Sequence, residues 1–263
     1  MRVVVKIGTS TLTHETGQLN IRRVELMCKT LADLKNAGHE IIMVSSGAIA
    51  MGVGKLRLPG RPDDIPGRQA AAAVGQCELM DTYDRLFSKY HHTVGQILLT
   101  AEDIHQPERK RNVMATLTRL LEWGAIPIIN ENDSVATAEL DGIVIGDNDT
   151  LSAEIAIFVN AEVLVLLSDI PGLFTADPRK DKNAKLIPLV TEITDELMNM
   201  GGGAGTSLAT GGMQSKLEAA RLLSTQGIDM VITNGQNPEC LYEVLAGRPI
   251  GTRFCFKKED TSS

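Results

Sequence analysis

Short runs of aliphatic, often β-branched residues recur along this chain, and each closes on glycine, hydroxyl or charged side chains. Val3-Val4-Val5 precedes Lys6-Ile7-Gly8, the run within 40–44 precedes Ser45-Ser46-Gly47, and the run within 162–167 precedes Ser168-Asp169. Unbroken apolar runs of this length describe strands covered on both faces, because a strand with one wet face alternates apolar with polar. Between them lie stripes at helical spacing, such as Ile21, Val24, Met27, Cys28, Leu31 and Leu34, stopped by Gly38. Parallel strands need a crossover connection, which a helix supplies. The pattern therefore predicts an α/β fold, a three-layer αβα sandwich around a mostly parallel central sheet.

In order, the expected elements are a first strand from Arg2, a helix over 21–37, a strand over 40–44 and a Pro- and Gly-rich loop over 56–66. A long Ala-rich helix from about Gly67 to Tyr90 follows, then a strand at 94–99, a helix at 107–122 ended by Gly124, and a strand at 125–129. A polar hairpin-like segment, its turn at Asp141-Gly142, leads to a helix over 151–159 and the strand 162–167. From Pro171 the periodicity fades, and a lid or hairpin excursion is expected. A helix opening at Thr210–Lys216 then runs to about Gln226, followed by a strand at 228–233, a helix at 238–245 and a last, edge strand at 251–256. Residues 1–256 read as a single domain and 257–263 as a polar, disordered tail. The first two strands form one βαβ unit, so their C-terminal ends should lie side by side, where such sheets bind ligands.

A chain of 263 residues with 43% hydrophobic content can bury a large core. A net charge of −7, with no basic run longer than Arg109-Lys110-Arg111, argues against nucleic acid as the main partner, since phosphate-backbone affinity needs grouped cations. That triplet reads as a solvated helix face. No apolar run is long enough to span a bilayer, and Arg2-Val3-Val4 does not begin a signal leader, so a cytoplasmic location without membrane contact is expected. Cys28, Cys77, Cys240 and Cys255 are scattered, with no Cys-x-x-Cys pair, and read as reduced thiols. His91 and His92 are adjacent and cannot share a face, so they suggest no metal site.

Two regions could bind phosphate. Lys6 and the amides near Gly8 could hold an anion, or Lys6 could be an ordinary lysine at the edge of a first strand. Gly211-Gly212 opens a helix, where unpaired N–H groups and the positive end of the dipole suit an anion, with Lys216 a turn later; the alternative is a flexible loop with a helix cap. Neither region carries a P-loop or a dinucleotide fingerprint. Asn130-Glu131-Asn132-Asp133 and Gly146-Asp147-Asn148-Asp149 gather amides and carboxylates near a predicted sheet edge. Each alone could be a turn; together they could grip a small zwitterion, carboxylates taking an ammonium and amides a carboxylate.

In this order, Lys6-Ile-Gly8-Thr-Ser, Ser45-Ser46-Gly47-Ala, Asn130-Glu-Asn-Asp133, Gly146-Asp-Asn-Asp149, Ser168-Asp169 with Gly172-Leu-Phe-Thr-Ala-Asp-Pro178, and Gly211-Gly-Met-Gln-Ser-Lys216 resemble the motifs of the glutamate 5-kinases in the amino acid kinase family. The resemblance runs from Arg2 to about Phe256. It implies the amino acid kinase fold and ATP-dependent phosphorylation of the L-glutamate side-chain carboxylate to L-glutamyl 5-phosphate, the first step of proline biosynthesis, under feedback inhibition by proline. It implies that residues up to about 160 bind the amino acid and residues 161–256 the nucleotide. Lys6 and Lys216 would contact the transferring phosphoryl group, and Asp149 would position them. Ser46, Gly47, Asn130, Asp133, Asp147 and Asn148 would bind glutamate. Lys6, Gly8, Ser168, Asp169, Thr210, Gly211, Gly212, Met213, Gln214, Ser215 and Lys216 would hold ATP, with Mg²⁺ carried on the nucleotide. A homo-oligomer, dimer or tetramer, is implied, as is hand-over of the labile acyl phosphate to the next enzyme of the pathway. Many members carry a C-terminal PUA domain, a fold associated with RNA binding, and the sequence stops where it would begin, so the form lacking it is expected.

The residues suit that chemistry. A glutamate side chain has a reference pKa of about 4.3 and is ionised at neutral pH, so its oxygen needs no general base. What must be supplied is alignment of two anions that repel and neutralisation of charge on the phosphoryl group. Kinases of the same fold acting on acetylglutamate, aspartate, carbamate or UMP are rivals, and so is a non-catalytic sensor of glutamate or proline, which would need neither lysine.

Overall fold

The computed structural model describes residues 1–14, 16, 18–135, 148–178, 181–202 and 212–256. The chain opens with β1 (Arg2–Ile7), the single turn α1 (Thr9–Leu12), α2 (Ile21–Asn36), β2 (Glu40–Val44), α3 (Ala48–Leu56) and α4 (Ile65–Ser88). There follow β3 (Val94–Leu99), α5 (Ala101–His105), α6 (Pro107–Glu122), β4 (Ile126–Glu131), α7 (Asn148–Phe158) and β5 (Val163–Ser168). The last elements are β6 (Leu189–Val190), α8 (Asp195–Gly202), α9 (Gly212–Ser224), β7 (Asp229–Asn234), α10 (Cys240–Leu245) and β8 (Thr252–Phe254).

Among the described residues the strands form one eight-stranded sheet in the order β3-β4-β2-β1-β5-β7-β8-β6. From β3 to β7 all neighbours are parallel; β8 runs antiparallel to β7, and β6 pairs parallel with β8. The chain leaves β1 toward β2 on one side and returns as β5 on the other, so β1 and β5 flank the point where the winding reverses. Open α/β sheets bind ligands in the crevice beyond the strand C-termini at such a point.

Both faces are covered, as the unbroken apolar runs require. Val3, Val5 and Ile7 pack in one layer with Val24, Met27 and Leu31 of α2, Leu79 and Phe87 of α4, and Leu241 of α10. Val4 packs in the other with Leu117 of α6, Ile155 of α7 and Leu217 of α9. Alternation along β1 therefore puts Lys6 on the side of Val4, toward α7 and α9.

Several boundaries differ from the sequence expectation. The loop after β1 is a helical turn. α3 was unmarked, because Gly52 and Gly54 weaken its propensity. α4 starts before Gly67: Asp64 caps it, its side chain accepting from Gly67 N at 2.7 Å, and Pro66 sits in the first turn, where a missing N–H is harmless. The short helix α5 was also unmarked; Thr100 and Asp103 close a capping box at its start. Asn130 and Glu131 lie inside β4, and Asn148 and Asp149 form the first turn of α7. In the segment after Pro171, Phe174 bridges Leu186 antiparallel, as in a hairpin, but β6 and α8 follow. The last strand is not at the edge, because the two-residue β6, too short to show a period, pairs outside it. The Asp141-Gly142 turn and the tail 257–263 lie outside the described residues. None of the four cysteines forms a disulfide with another, and among the described residues no helix is long and apolar enough to cross a membrane.

Candidate active site

At the C-terminal end of β1, Lys6 meets Asp149 on the first turn of α7, its Nζ 2.7 Å from Oδ1. Lys216, on α9, approaches the other oxygen of the same carboxylate, with Nζ 2.7 Å from Oδ2. Lys216 also donates to the Gly212 carbonyl at 2.9 Å, and the Ser215 hydroxyl donates to Asp149 Oδ2 at 3.1 Å. Asp149 is fully buried and both lysines nearly so. Burial raises the Asp149 carboxyl pKa, but the two ammonium groups outweigh it and hold the pKa below its ordinary value. Taken by themselves, these three side chains carry one net positive charge where little water can screen it. An incoming anion would balance that charge.

Beside the cluster lies a cavity of about 540 Å³. Lys6, Thr9, Ser46, Gly47, the first turn of α3, Asn130, Glu131, Asp133, Asn148 and the loop Leu58–Arg61 line it. Gly47 adopts φ +88°, the left-handed conformation that glycine takes without strain, and turns the chain from β2 straight into α3. Asn148 is held by its amide nitrogen, which lies 2.9 Å from the Ser45 carbonyl, 2.8 Å from Ser46 Oγ and 3.2 Å from Asn130 Oδ1. Asn130 is fixed in turn, donating to Gln76 Oε1 at 2.9 Å and accepting from Glu131 N at 3.0 Å. The Ser45 and Tyr83 hydroxyls lie 2.9 Å apart behind this network. Asn148 Oδ1 is buried and has no hydrogen-bond partner among the described residues. Leaving such an acceptor unmet costs about 1–3 kcal/mol, which a ligand N–H would recover. Burial pushes the Asp133 carboxyl pKa up, and the Arg61 guanidinium works against it.

The sequence-predicted residues thus fall into two groups joined by Asp149. Lys6, Ser46, Gly47, Asn130, Asp133 and Asn148 line the cavity. On the other side, Ser168 ends β5 and Asp169 follows it, with the Ser168 hydroxyl donating to Asp169 Oδ1 at 3.1 Å, and Gly212 to Lys216 form the first turns of α9. Met213 packs on the core, and Gln214 Nε2 donates to Glu218 at 3.1 Å. Gly8 N donates to the Leu167 carbonyl at 3.3 Å, so its amide is already engaged within the fold. Asp147, Thr210 and Gly211 lie outside the described residues. Sequence reasoning passed over Thr9, the start of α3, Gln76 and the loop with Arg61. A Pro- and Gly-rich connection of this length beside a strand-end motif was the one available signal.

A profile of the amino acid kinase family matches residues 1–234. The glutamate 5-kinase of Clostridium perfringens is 48% identical over 258 residues, covering 98% of this chain and 96% of that one. The glutamate 5-kinase of Caldanaerobacter subterraneus is 48% identical over 263 residues, covering all of this chain and 70% of its own length. Among solved structures, carbamate kinase from Giardia lamblia has a TM-score of 0.67 at 13% identity, covering 97% of this chain and 98% of that one. UMP kinase from Bacillus anthracis has a TM-score of 0.65 at 17% identity, covering 98% and 96%. These two share the fold, a mostly parallel sheet between helical layers. Matched nearly end to end by its relatives, the chain belongs to the amino acid kinase family, within the glutamate 5-kinases.

Proposed function

We propose that this protein transfers the γ-phosphoryl group of ATP to the side-chain carboxylate of L-glutamate, yielding L-glutamyl 5-phosphate and ADP as the opening step of proline biosynthesis. The observation that carries the proposal is the Lys6–Asp149–Lys216 cluster, positive in excess, at the buried end of a cavity with partners for a zwitterion. The cavity, drawn from residues 6–148, takes the amino acid; the ends of β5 and α9 take the nucleotide. Lys6 faces the acceptor carboxylate and Lys216 the phosphates, so the two ammonium groups hold two mutually repelling anions in line. A carboxylate oxygen attacks the γ-phosphorus, the bond to the β,γ-bridging oxygen breaks, and ADP leaves with that oxygen's charge; no proton need be removed. Asp149 holds both lysine side chains in place. It is engaged by both ammonium groups, so Mg²⁺ would come with the nucleotide and would neutralise phosphate charge there.

An ammonium group suits Asp133 and the unmet Asn148 Oδ1, which favours a free amino acid over an N-acetylated one. Proline carries an ammonium and an α-carboxylate too, and would inhibit by occupying the same cavity. The test is trapping of the acyl phosphate: with ATP, Mg²⁺ and L-glutamate, hydroxylamine should yield glutamyl hydroxamate. No hydroxamate from glutamate, with product from aspartate or acetylglutamate, would replace the acceptor. None from any acceptor, with amino-acid binding intact, would favour a sensor.

A further inference from the structure

L-Glutamate brings two carboxylates and one ammonium group into the cavity, and the lysine pair accounts for the side-chain carboxylate alone. Among the cavity's lining residues, Lys6 and Arg61 are the cations, and Glu131 and Asp133 the carboxylates. Lys6 is bound to Asp149 at the buried end. Arg61 lies in the exposed loop 57–64 between α3 and α4 and makes no ion pair or hydrogen bond among the described residues. The loop is anchored at both ends: Leu58 N donates to the Val53 carbonyl at 3.0 Å, and Asp64 caps α4. Pro59 and Pro62, on either side of Arg61, restrict it further. Asp133 shares the cavity with Arg61 without closing an ion pair, although the guanidinium's field reaches its carboxyl. Two opposite charges held apart across a cavity match an amino acid's own ammonium and α-carboxylate.

We propose that Arg61 is the receptor for the α-carboxylate of the acceptor. This rests on L-glutamate being that acceptor. With the side-chain carboxylate at Lys6 and the ammonium between Asp133 and Asn148 Oδ1, the α-carboxylate faces the guanidinium, whose planar fork matches a carboxylate with two parallel hydrogen bonds. Arg61 thereby selects an α-amino acid over a simple amine or monocarboxylate, without touching the reacting atoms.

The experiment compares wild type, Arg61→Ala and Arg61→Lys by hydroxamate formation from L-glutamate, with 4-aminobutyrate, which is glutamate without its α-carboxylate, as alternative acceptor or competitor. Arg61→Ala should raise the KM for glutamate roughly 10- to 100-fold, as loss of a charge-assisted contact does, with kcat changed less than about threefold. Arg61→Lys should recover part of the loss, and the affinity for 4-aminobutyrate should be the same with and without Arg61. An unchanged glutamate KM in Arg61→Ala would overturn the assignment. So would an equal loss toward glutamate and 4-aminobutyrate, which would mark a general disturbance of the loop. If wild type forms no hydroxamate from glutamate, the acceptor reading fails and the assignment with it; failure confined to the variants leaves that reading standing. Arg61 is exposed, so the melting temperature of each variant should match wild type and show that the fold is intact.

Discussion

Asp149 is the residue on which the site closes, since two buried lysines share its carboxylate. Asp149→Asn leaves those cations without their anion, and breaking a buried pair in this way destabilises by about 3–5 kcal/mol. The sign of the pH dependence follows from the carboxyl's depressed pKa. An unfolded Asp titrates near 3.9, so the stabilisation is complete above that pH and is lost as pH falls through the lower native pKa. Thermal melts should show the gap between wild type and Asp149→Asn widest near neutrality and shrinking below about pH 4; a gap that stays constant into strong acid would contradict this. Lys216→Ala should lower kcat roughly 100- to 1000-fold, the usual effect of removing a group that stabilises transition-state charge, and move the KM for glutamate far less. Near-normal kcat would remove Lys216 from the reaction. Lys6 and Lys216 were visible in the sequence as candidate anion ligands because each stands beside glycine at an element's end. Their meeting on one carboxylate was not, since the three residues come from elements far apart in the chain.

At the level of elements, the crossing of α3 and α4 shapes the cavity. A Cβ on Gly75 would fall onto the Ala48 carbonyl, and one on Gly52 onto the Ala71 carbonyl, so the two backbones meet where no side chain fits. The first turn of α3 forms a cavity wall, and Gln76, next to Gly75 on α4, holds Asn130. Gly75→Ala should therefore push α3 outward, costing about 1–3 kcal/mol by overpacking, and raise the KM for the amino acid with little effect on the KM for ATP. Equal changes in both KM values would show that the crossing does not serve the cavity alone. The glycines that make this approach possible also hid α3 from sequence reasoning, because glycine counts against a helix locally whatever it permits in three dimensions. Asn130, Asn148 and Asp149 were displaced in the same way. Asn and Asp favour turns, but here one falls inside β4 and two open α7, where burial and hydrogen bonding outweigh local preference.

For the whole molecule, a ligand that binds only the folded chain stabilises it by mass action, about 2.7 kcal/mol at a hundredfold excess over Kd. Saturating L-glutamate should raise Tm, and proline should do the same without adding to glutamate's effect if both occupy the proposed cavity. An additive shift would place proline elsewhere, and activity unaffected by high proline at low glutamate would reject inhibition altogether. The sequence by itself determined the architecture. Apolar runs without alternation, separated by helical stripes, leave few arrangements besides helices on both faces of a parallel sheet, and this information sits within a few residues of each position. It also marked the candidate residues and the strand or helix ends near which they stand. Tertiary structure alone decided that β1 lies at the reversal of the winding, that its even-numbered face puts Lys6 over α7 and α9, and that Asp149 ties the two lysines together. It alone brought the loop of Arg61 to the cavity. Those outcomes depend on strand order and helix crossings between residues scores of positions apart, which no local spacing encodes.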